Sequence, residues 1–508
     1  MTMNKILCLV CTLVFAFPVS AKVVNITLVQ ANDVYEMNPV NGGQYGGLAR
    51  LQTLIKRLNT ENPNTYTLLA GDLLSPSAIG TAKVNGERLN GKQMVATFNA
   101  MEWDFMTFGN HEFDNGREAL VDSLKQAKFK IFSSNVLDAT TGLPFKNTSE
   151  TVVFEVEGIK IGMVGVTLPS LAKDFITIND PMSTAQKAAT QLKEKENVDV
   201  LIMLTHQDLE KDVQFAEQIP EIDLILGGHE HENAYLRRGP HFTPIAKADA
   251  NARSVYIHNL AYDTRTKSLT INSHLQIIDS RFHEDPAIKK VVDAWVNKAF
   301  EAFREDGFEP EQLVAVTDVP LDGLEASVRG GDTHLTSLVA KSALSAYPGS
   351  DVSLFNAGSI RIDDILPAGN VTQYDVIRIL PFGGDYSQVS MPGDILEKAL
   401  DAGEQNRGKG GFLHHANVNK SRAKWTVKGI PLDPKANYVV SISSFLIERG
   451  DTGLEFLVDN PNIKILSDKL VDSRFALIDE LKSTYPDTTS NVSATSVTTN
   501  FNYAEYSD

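Results

Sequence analysis

Six side chains in the first half of the chain stand where apolar runs give way abruptly to polar residues. They are Asp33, Asp72, Asn110, His206, His229 and His231. Carboxylates, a carboxamide and imidazoles are hard oxygen and borderline nitrogen donors, a mix that suits Zn²⁺, Mn²⁺, Co²⁺ or Fe rather than thiophilic metals. Two such ions about 3.5–4 Å apart can polarise a phosphoryl oxygen, lower the pKa of a water and hold both ends of an in-line displacement. The implied chemistry is hydrolysis. A lone Gly-Asp is ordinarily a turn and a lone His ordinarily structural, so the weight lies in the ordered set.

Five elements must position that set. Ile26–Ala31 runs into Asn32-Asp33, Tyr66–Ala70 into Gly71-Asp72, and Asp104–Phe108 into Gly109-Asn110-His111-Glu112-Phe113-Asp114. Val200–Leu204 then leads into Thr205-His206, and Ile222–Leu226 into Gly227-Gly228-His229-Glu230-His231. In α/β sheets ligands gather outside the carboxyl ends of the strands, so five such exits can converge on one place. The spacing of His229 and His231 predicts two imidazoles on one side of an extended segment. Between the exits lie helical patterns such as Gly46 to Leu58, with Leu48, Leu51, Leu54 and Ile55 on one stripe. Strand alternating with helix predicts a parallel or mixed α/β sheet covered on both faces, closed by an antiparallel pair, Val255–Asp263 and Ser268–Ile278.

The domain boundaries follow from composition. Residues 22–282 form the first domain, and 283–311 are a linker, read as a solvated helix from Asp285 to about Glu305 and a Gly/Pro-containing turn. Residues 312–484 form a smaller α/β domain, with helices over Thr333–Ala346 and Gly393–Asp401 and strands over Asp351–Phe355 and Tyr438–Ser443. Residues 485–508 are a polar tail.

Residues 1–21 read as a signal peptide: Lys5, the apolar run Ile6–Phe17, then small residues ending near Ala21. Export to the periplasm or the medium is expected. Removing this segment takes one Lys and brings the net charge from −17 to −18. No basic concentration remains to bind a nucleic-acid polymer, and no other stretch is long and apolar enough to span a membrane. Both cysteines, Cys8 and Cys11, fall inside the segment, which leaves no disulfide, thiolate site or cysteine nucleophile in the expected mature chain. Cys11 sits within the apolar run behind bulky Val10, which argues against lipidation.

The series Asn32-Asp33, Gly71-Asp72, Gly109-Asn110-His111-Glu112, Thr205-His206 and Gly228-His229-Glu230-His231 resembles the calcineurin-like metallophosphoesterases. The extended Gly109-Asn110-His111-Glu112-Phe113-Asp114 resembles the 5′-nucleotidase/UDP-sugar hydrolase family in particular. The resemblance implies an α/β fold with an N-terminal metallophosphoesterase-type β-sandwich flanked by helices and a C-terminal substrate-binding domain. It implies two divalent or trivalent ions, with Asp72 bridging them, Asn110, His206 and His229 on one, and Asp33 and His231 on the other. His111, oriented by Asp114, would stabilise transition-state charge or protonate the leaving group.

One position departs from the family. Where its pattern is Asp-x-His, this chain has Asp33-Val34-Tyr35. Three readings stay open: Tyr35 ligates as phenolate, it packs beside a weakened site, or the site has lost activity. In the second domain, Arg329 with Asp332-Thr333-His334-Leu335, then Asn356-Ala357-Gly358-Ser359-Ile360-Arg361, Gly411-Phe412, Phe445 and Gly450-Asp451 resemble the family's nucleotide-binding positions. By that resemblance Phe412 and Phe445 would sandwich a base, Asp451 would hold ribose hydroxyls, and Arg329, Asn356 and Arg361 would grip base edge or phosphate. The expected activity is phosphate release from nucleoside 5′-phosphates by a monomer or homodimer. UDP-sugar hydrolysis, 2′,3′-cyclic-nucleotide hydrolysis, or nucleotide binding at a degenerate metal site are the alternatives.

Overall fold

The computed structural model describes residues 22–169, 173–421 and 424–486. The signal segment with both cysteines, and the tail from 487 onward, lie outside the described residues.

Val23–Ala31 shows how the first domain is assembled. Val24, Ile26 and Leu28 enter one core while Val29 and Ala31 enter another, as the two-residue period of a strand requires. The strand belongs to a seven-stranded sheet, ordered Thr148–Ser149, Lys130–Phe132, Phe105–Met106, Thr65–Leu69, Val23–Ala31, Ser254–Asp263, Ser268–Ile277. The first five run parallel; the last two are the expected antiparallel pair. A second sheet of six strands is ordered Thr151–Val156, Ile159–Thr167, Val200–His206, Leu224–Gly228, Thr243–Lys247, Ala234–Arg238.

The two sheets face each other. Leu28, Leu68 and Phe105 from the first share a core with Met163, Ile202, Leu204 and Leu226 from the second. Each such side chain contributes roughly 1.5–3 kcal/mol by leaving water. Helices cover only the outer sides: Leu48–Glu61, Lys92–Ala100 and Gly116–Gln126 on the first sheet, Pro181–Gln191 and Leu209–Gln218 on the second. Alternation alone predicts one sheet with helices on both faces. A strand buried between sheet and helix is as apolar as one between two helix layers, so the pattern cannot separate the cases. The sandwich agrees with the family resemblance.

The connection to the second domain is solvated on one face only, where the expectation was a solvated helix. Pro286–Glu305 buries Ile288, Val292, Ala299, Ala302 and Phe303 in the core shared with the helices of the first domain. Its start is fixed by Asp285, which accepts from the amides of Ala287 and Ile288 at 3.1 and 3.2 Å and pairs with Lys56. The apolar stripe was legible; its partner was not.

The second domain is built on a sheet containing Leu413–Ala416, Val352–Asn356, Asn437–Ser443, Asp385–Pro392 and Lys464–Ile465 in that order. The helices His334–Ala346 and Gly393–Gln405 pack on it, the first capped by Thr333 in a capping box.

Candidate metal centre

Parallel pairing brings the strand ends level. Ala31 pairs with Leu69, Leu69 with Met106, and His206 with both Thr167 and Gly228. Asp33, Asp72 and His229 then take left-handed backbone conformations, with φ of 52°, 60° and 84°. Such conformations cost about 1–3 kcal/mol each and persist only where the surroundings over-determine them. Here Asp33 N donates to Gly71 O at 3.1 Å and Val34 N to Asp72 O at 3.0 Å. Buried Glu112 accepts from the amides of Asp72, Leu73 and Gly109 and ties two of the loops together. Gly109 is obligatory at this crossing, because a Cβ there would fall 2.1 Å from Asp72 Oδ1.

Ligand atoms of Asp33, Asp72 and His206 come within 4.8 Å of one another, all three residues buried. His206 Nε2 is 3.2 Å from Asp72 Oδ2 and 3.1 Å from Asn110 Oδ1, while its Nδ1 lies 2.7 Å from the Ala70 carbonyl. His231 Nε2 is 3.5 Å from Asp33 Oδ1. Among the described residues, no Lys or Arg pairs with Asp33 or Asp72. Burial opposes a charge on His206, but Asp72 and Asp33 outweigh it and push its pKa up to about 9. Two buried carboxylates facing imidazoles and a carboxamide, without a lysine or arginine to neutralise them, are a donor set fitted to a multivalent cation.

Tyr35 is buried in the same cluster. Its hydroxyl is shared between Asp33 Oδ1 at 3.2 Å and Asp72 Oδ2 at 3.0 Å, and lies 3.3 Å from His231 Nε2. Burial, followed by the charges of Asp72 and Asp33, raises the phenol well above its ordinary range.

At His229 the backbone departs from the expected extended segment. The strand ends at Gly228, and the left-handed turn at His229 breaks the alternation. His231 joins Asp33 and Tyr35, whereas the His229 ring sits 5.3 Å from that of His206 with Nε2 3.5 Å from Asp208 Oδ1. His111 and Asp114 do pair, Nδ1 to Oδ2 at 2.6 Å, and His111 N donates to Asp72 Oδ1 at 2.8 Å.

The second domain reaches this centre. Arg361 Nη2 is 3.3 Å from His111 Nε2, and Arg361 and Arg329 both face Glu325, at 3.9 and 2.6 Å. Asn356 Nδ2 donates to Asp451 Oδ2 at 3.0 Å. Phe412 is buried, with the Arg407 guanidinium 4.8 Å from its ring centre, and it lines a cavity of about 210 Å³ with Asp332, His415 and Trp425. Phe445 is 41% exposed. No contact between the two rings occurs.

Four groups escaped the sequence reading. Glu112 lay inside a quoted motif without a role. Glu325 and Asp363 border the centre, and the buried Arg378 joins Asp364 at 2.8 Å to Glu36 of the first domain at 3.4 Å. Glu112 within the Gly109–Asp114 motif and Asp363 two residues beyond Arg361 stood next to recognised residues, but neither position signalled its partner.

Comparison with known proteins agrees with this architecture. Residues 26–233 match the calcineurin-like phosphoesterase family model, and residues 313–459 match that of the 5′-nucleotidase C-terminal domain. The trifunctional nucleotide phosphoesterase protein YfkN of Bacillus subtilis is 28% identical over 407 residues, 72% of this chain but 27% of that longer protein. The 5′-nucleotidase of Vibrio cholerae is 26% identical over 504 residues, 87% of each chain. In fold, the 5′-nucleotidase precursor from Thermus thermophilus superposes with a TM-score of 0.76 at 24% identity, over 91% of this chain and 97% of that one. Fold and first domain define the class, a metal-dependent phosphoesterase. The two matched domains in this order go further: the chain joins a calcineurin-like phosphoesterase domain to a 5′-nucleotidase C-terminal domain and is similar over most of its length to 5′-nucleotidases.

Proposed function

We propose that this chain releases phosphate from nucleoside 5′-phosphates at a centre of two metal ions, outside the cytoplasm. The observation that carries the reading is the contact of Arg361 with His111, which brings the nucleotide-binding segment of one domain against the catalytic candidates of the other. Bound metal ions supply a polarised phosphoryl oxygen and an acidified attacking water. Asp72 would be the shared ligand, supported by its buried position between His206 on one side and Tyr35 on the other. Asn110, His206 and His229 would hold one ion; Asp33, Tyr35 and His231 would hold the other.

The Tyr35 oxygen, Asp33 Oδ1, Asp72 Oδ2 and His231 Nε2 stand 3.0–3.5 Å from their neighbours, the spacing of donors around one centre. On this reading Tyr35 takes the place of the family's histidine. Asp114 holds the His111 ring at Nδ1, which leaves the ring to act on the transferring phosphoryl group or the leaving oxygen. On the nucleotide, Arg329 and Arg361 meet negative charge, Asn356 and Asp451 hydroxyls and base edge, and Phe412 and Phe445 the base.

Export rests on the segment ending near Ala21; among the described residues, no helix is long and apolar enough to cross a membrane. The functional test is phosphate release by metal-stripped protein reloaded with Mn²⁺, Zn²⁺, Co²⁺ or Fe. AMP should be turned over at least tenfold faster in kcat/KM than UDP-glucose or 2′,3′-cyclic AMP; the reverse order would reassign the substrate. For Tyr35, protein loaded with oxidised iron should be coloured by phenolate-to-iron charge transfer, and Tyr35→Phe should be colourless. A colourless iron form of the parent would remove Tyr35 from the ligand set.

A further inference from the structure

The segment Arg361-Ile362-Asp363-Asp364 belongs to the second domain, yet its three charged residues all engage the first. Arg361 meets His111, and Asp364 accepts from Asn41 N at 2.9 and 3.0 Å. Between them Asp363 Oδ2 lies 3.0 Å from His231 Nδ1. Both atoms are buried, and neither meets hydrogen-bond geometry with any group, so the contact between them is an ion-pair approach in which each is the other's nearest charged neighbour. Asp363 Oδ1 accepts from Glu325 N at 2.9 Å. Arg253 Nη2 spans the pair, 3.6 Å from Asp363 and 3.2 Å from the His231 carbonyl. Asp363 is held in the left-handed region, φ 39°, a conformation that persists only under constraint from its surroundings.

An imidazole bound to metal through one nitrogen usually presents the other to a carboxylate, which fixes the ring's orientation and raises its basicity. His231 directs Nε2 toward Asp33 and Tyr35, and Nδ1 toward Asp363. We infer that Asp363 is a positioning residue which the second domain supplies to His231, so that one metal site of the first domain is complete only when the two domains meet as they do here. The inference rests on the reading of His231 as a ligand. It adds a function for the domain junction: a domain that holds nucleotide also finishes the metal site.

The test is a calorimetric Mn²⁺ titration of the full-length, metal-stripped protein. His231→Ala identifies the binding step that depends on His231. Asp363→Asn should weaken that same step about 10- to 100-fold and leave the other within about twofold, with Asp363→Glu recovering most of the loss. The double variant His231→Ala/Asp363→Asn should bind no more weakly than His231→Ala alone, a non-additivity that a general loss of packing would not produce. Parent-like affinity in both Asp363 variants, or equal weakening of both steps, overturns the positioning role while leaving the metal centre intact. If the parent binds no Mn²⁺ and no other divalent ion, the metal-centre reading falls and this inference with it.

Discussion

The two halves of the candidate site are built differently. At the metal end, Asp33, Asp72 and His206 are buried, three loop residues are held with positive φ, and Glu112 ties two of the loops through backbone amides. Little can move without breaking several bonds at once. At the nucleotide end, Phe445 is exposed, and the polar groups hold one another, Asn356 with Asp451 and Arg329 with Glu325. The first arrangement is organised before substrate arrives, which is what electrostatic stabilisation of a transition state requires. On the proposed reading the second would exchange internal partners for ligand, at a cost in desolvation and ordering. Substitutions at the metal end should therefore act on rate, and those at the nucleotide end on KM.

The sharpest break comes from Asp72→Ala. With the carboxylate proposed to be shared gone, turnover should fall below a few per cent of the parent and bound metal should drop, measured by elemental analysis, while far-ultraviolet circular dichroism stays unchanged. Activity above that level would take Asp72 out of the centre. His111→Ala should lower kcat by about 10²–10³ and change KM and metal content little, the signature of an interaction made mainly in the transition state. Loss of metal instead would make His111 a ligand. The smallest effect belongs to Phe412→Ala and Phe445→Ala. Each should raise KM for AMP roughly tenfold, within the ~1–3 kcal/mol of a base stack, and leave KM for a base-free phosphate ester within about twofold. Equal rises on both substrates would make the rings packing rather than clamp. Because Phe412 is buried, its melting temperature must be measured alongside.

How much of this could be read from sequence depends on the same contrast. The metal end was legible because each of its residues follows an apolar run, so strand pairing alone brings them together. His229 shows where that reasoning stops: alternation predicts an extended segment from His229 to His231, but the backbone reverses hand at His229. The linker helix shows a second limit, since its apolar stripe of Ile288, Val292 and Ala299 does not say which domain it covers. Asp363 is the clearest omission. Its partner His231 lies 132 positions earlier in the chain, on another domain, and no local pattern encodes a contact of that kind. The sandwich, too, needed the family resemblance, because burial on both faces is the same for sheet and helix neighbours.

Hydrolysis of AMP in ¹⁸O-labelled water by the Mn²⁺-loaded protein tests the central claim most directly. Attack of water on phosphorus should place one ¹⁸O in each released phosphate and none in adenosine, with release abolished by chelator and by Asp72→Ala. Label in the adenosine 5′-hydroxyl, or release that survives both metal removal and the loss of Asp72, would contradict a metal-dependent phosphohydrolase organised around these strand ends.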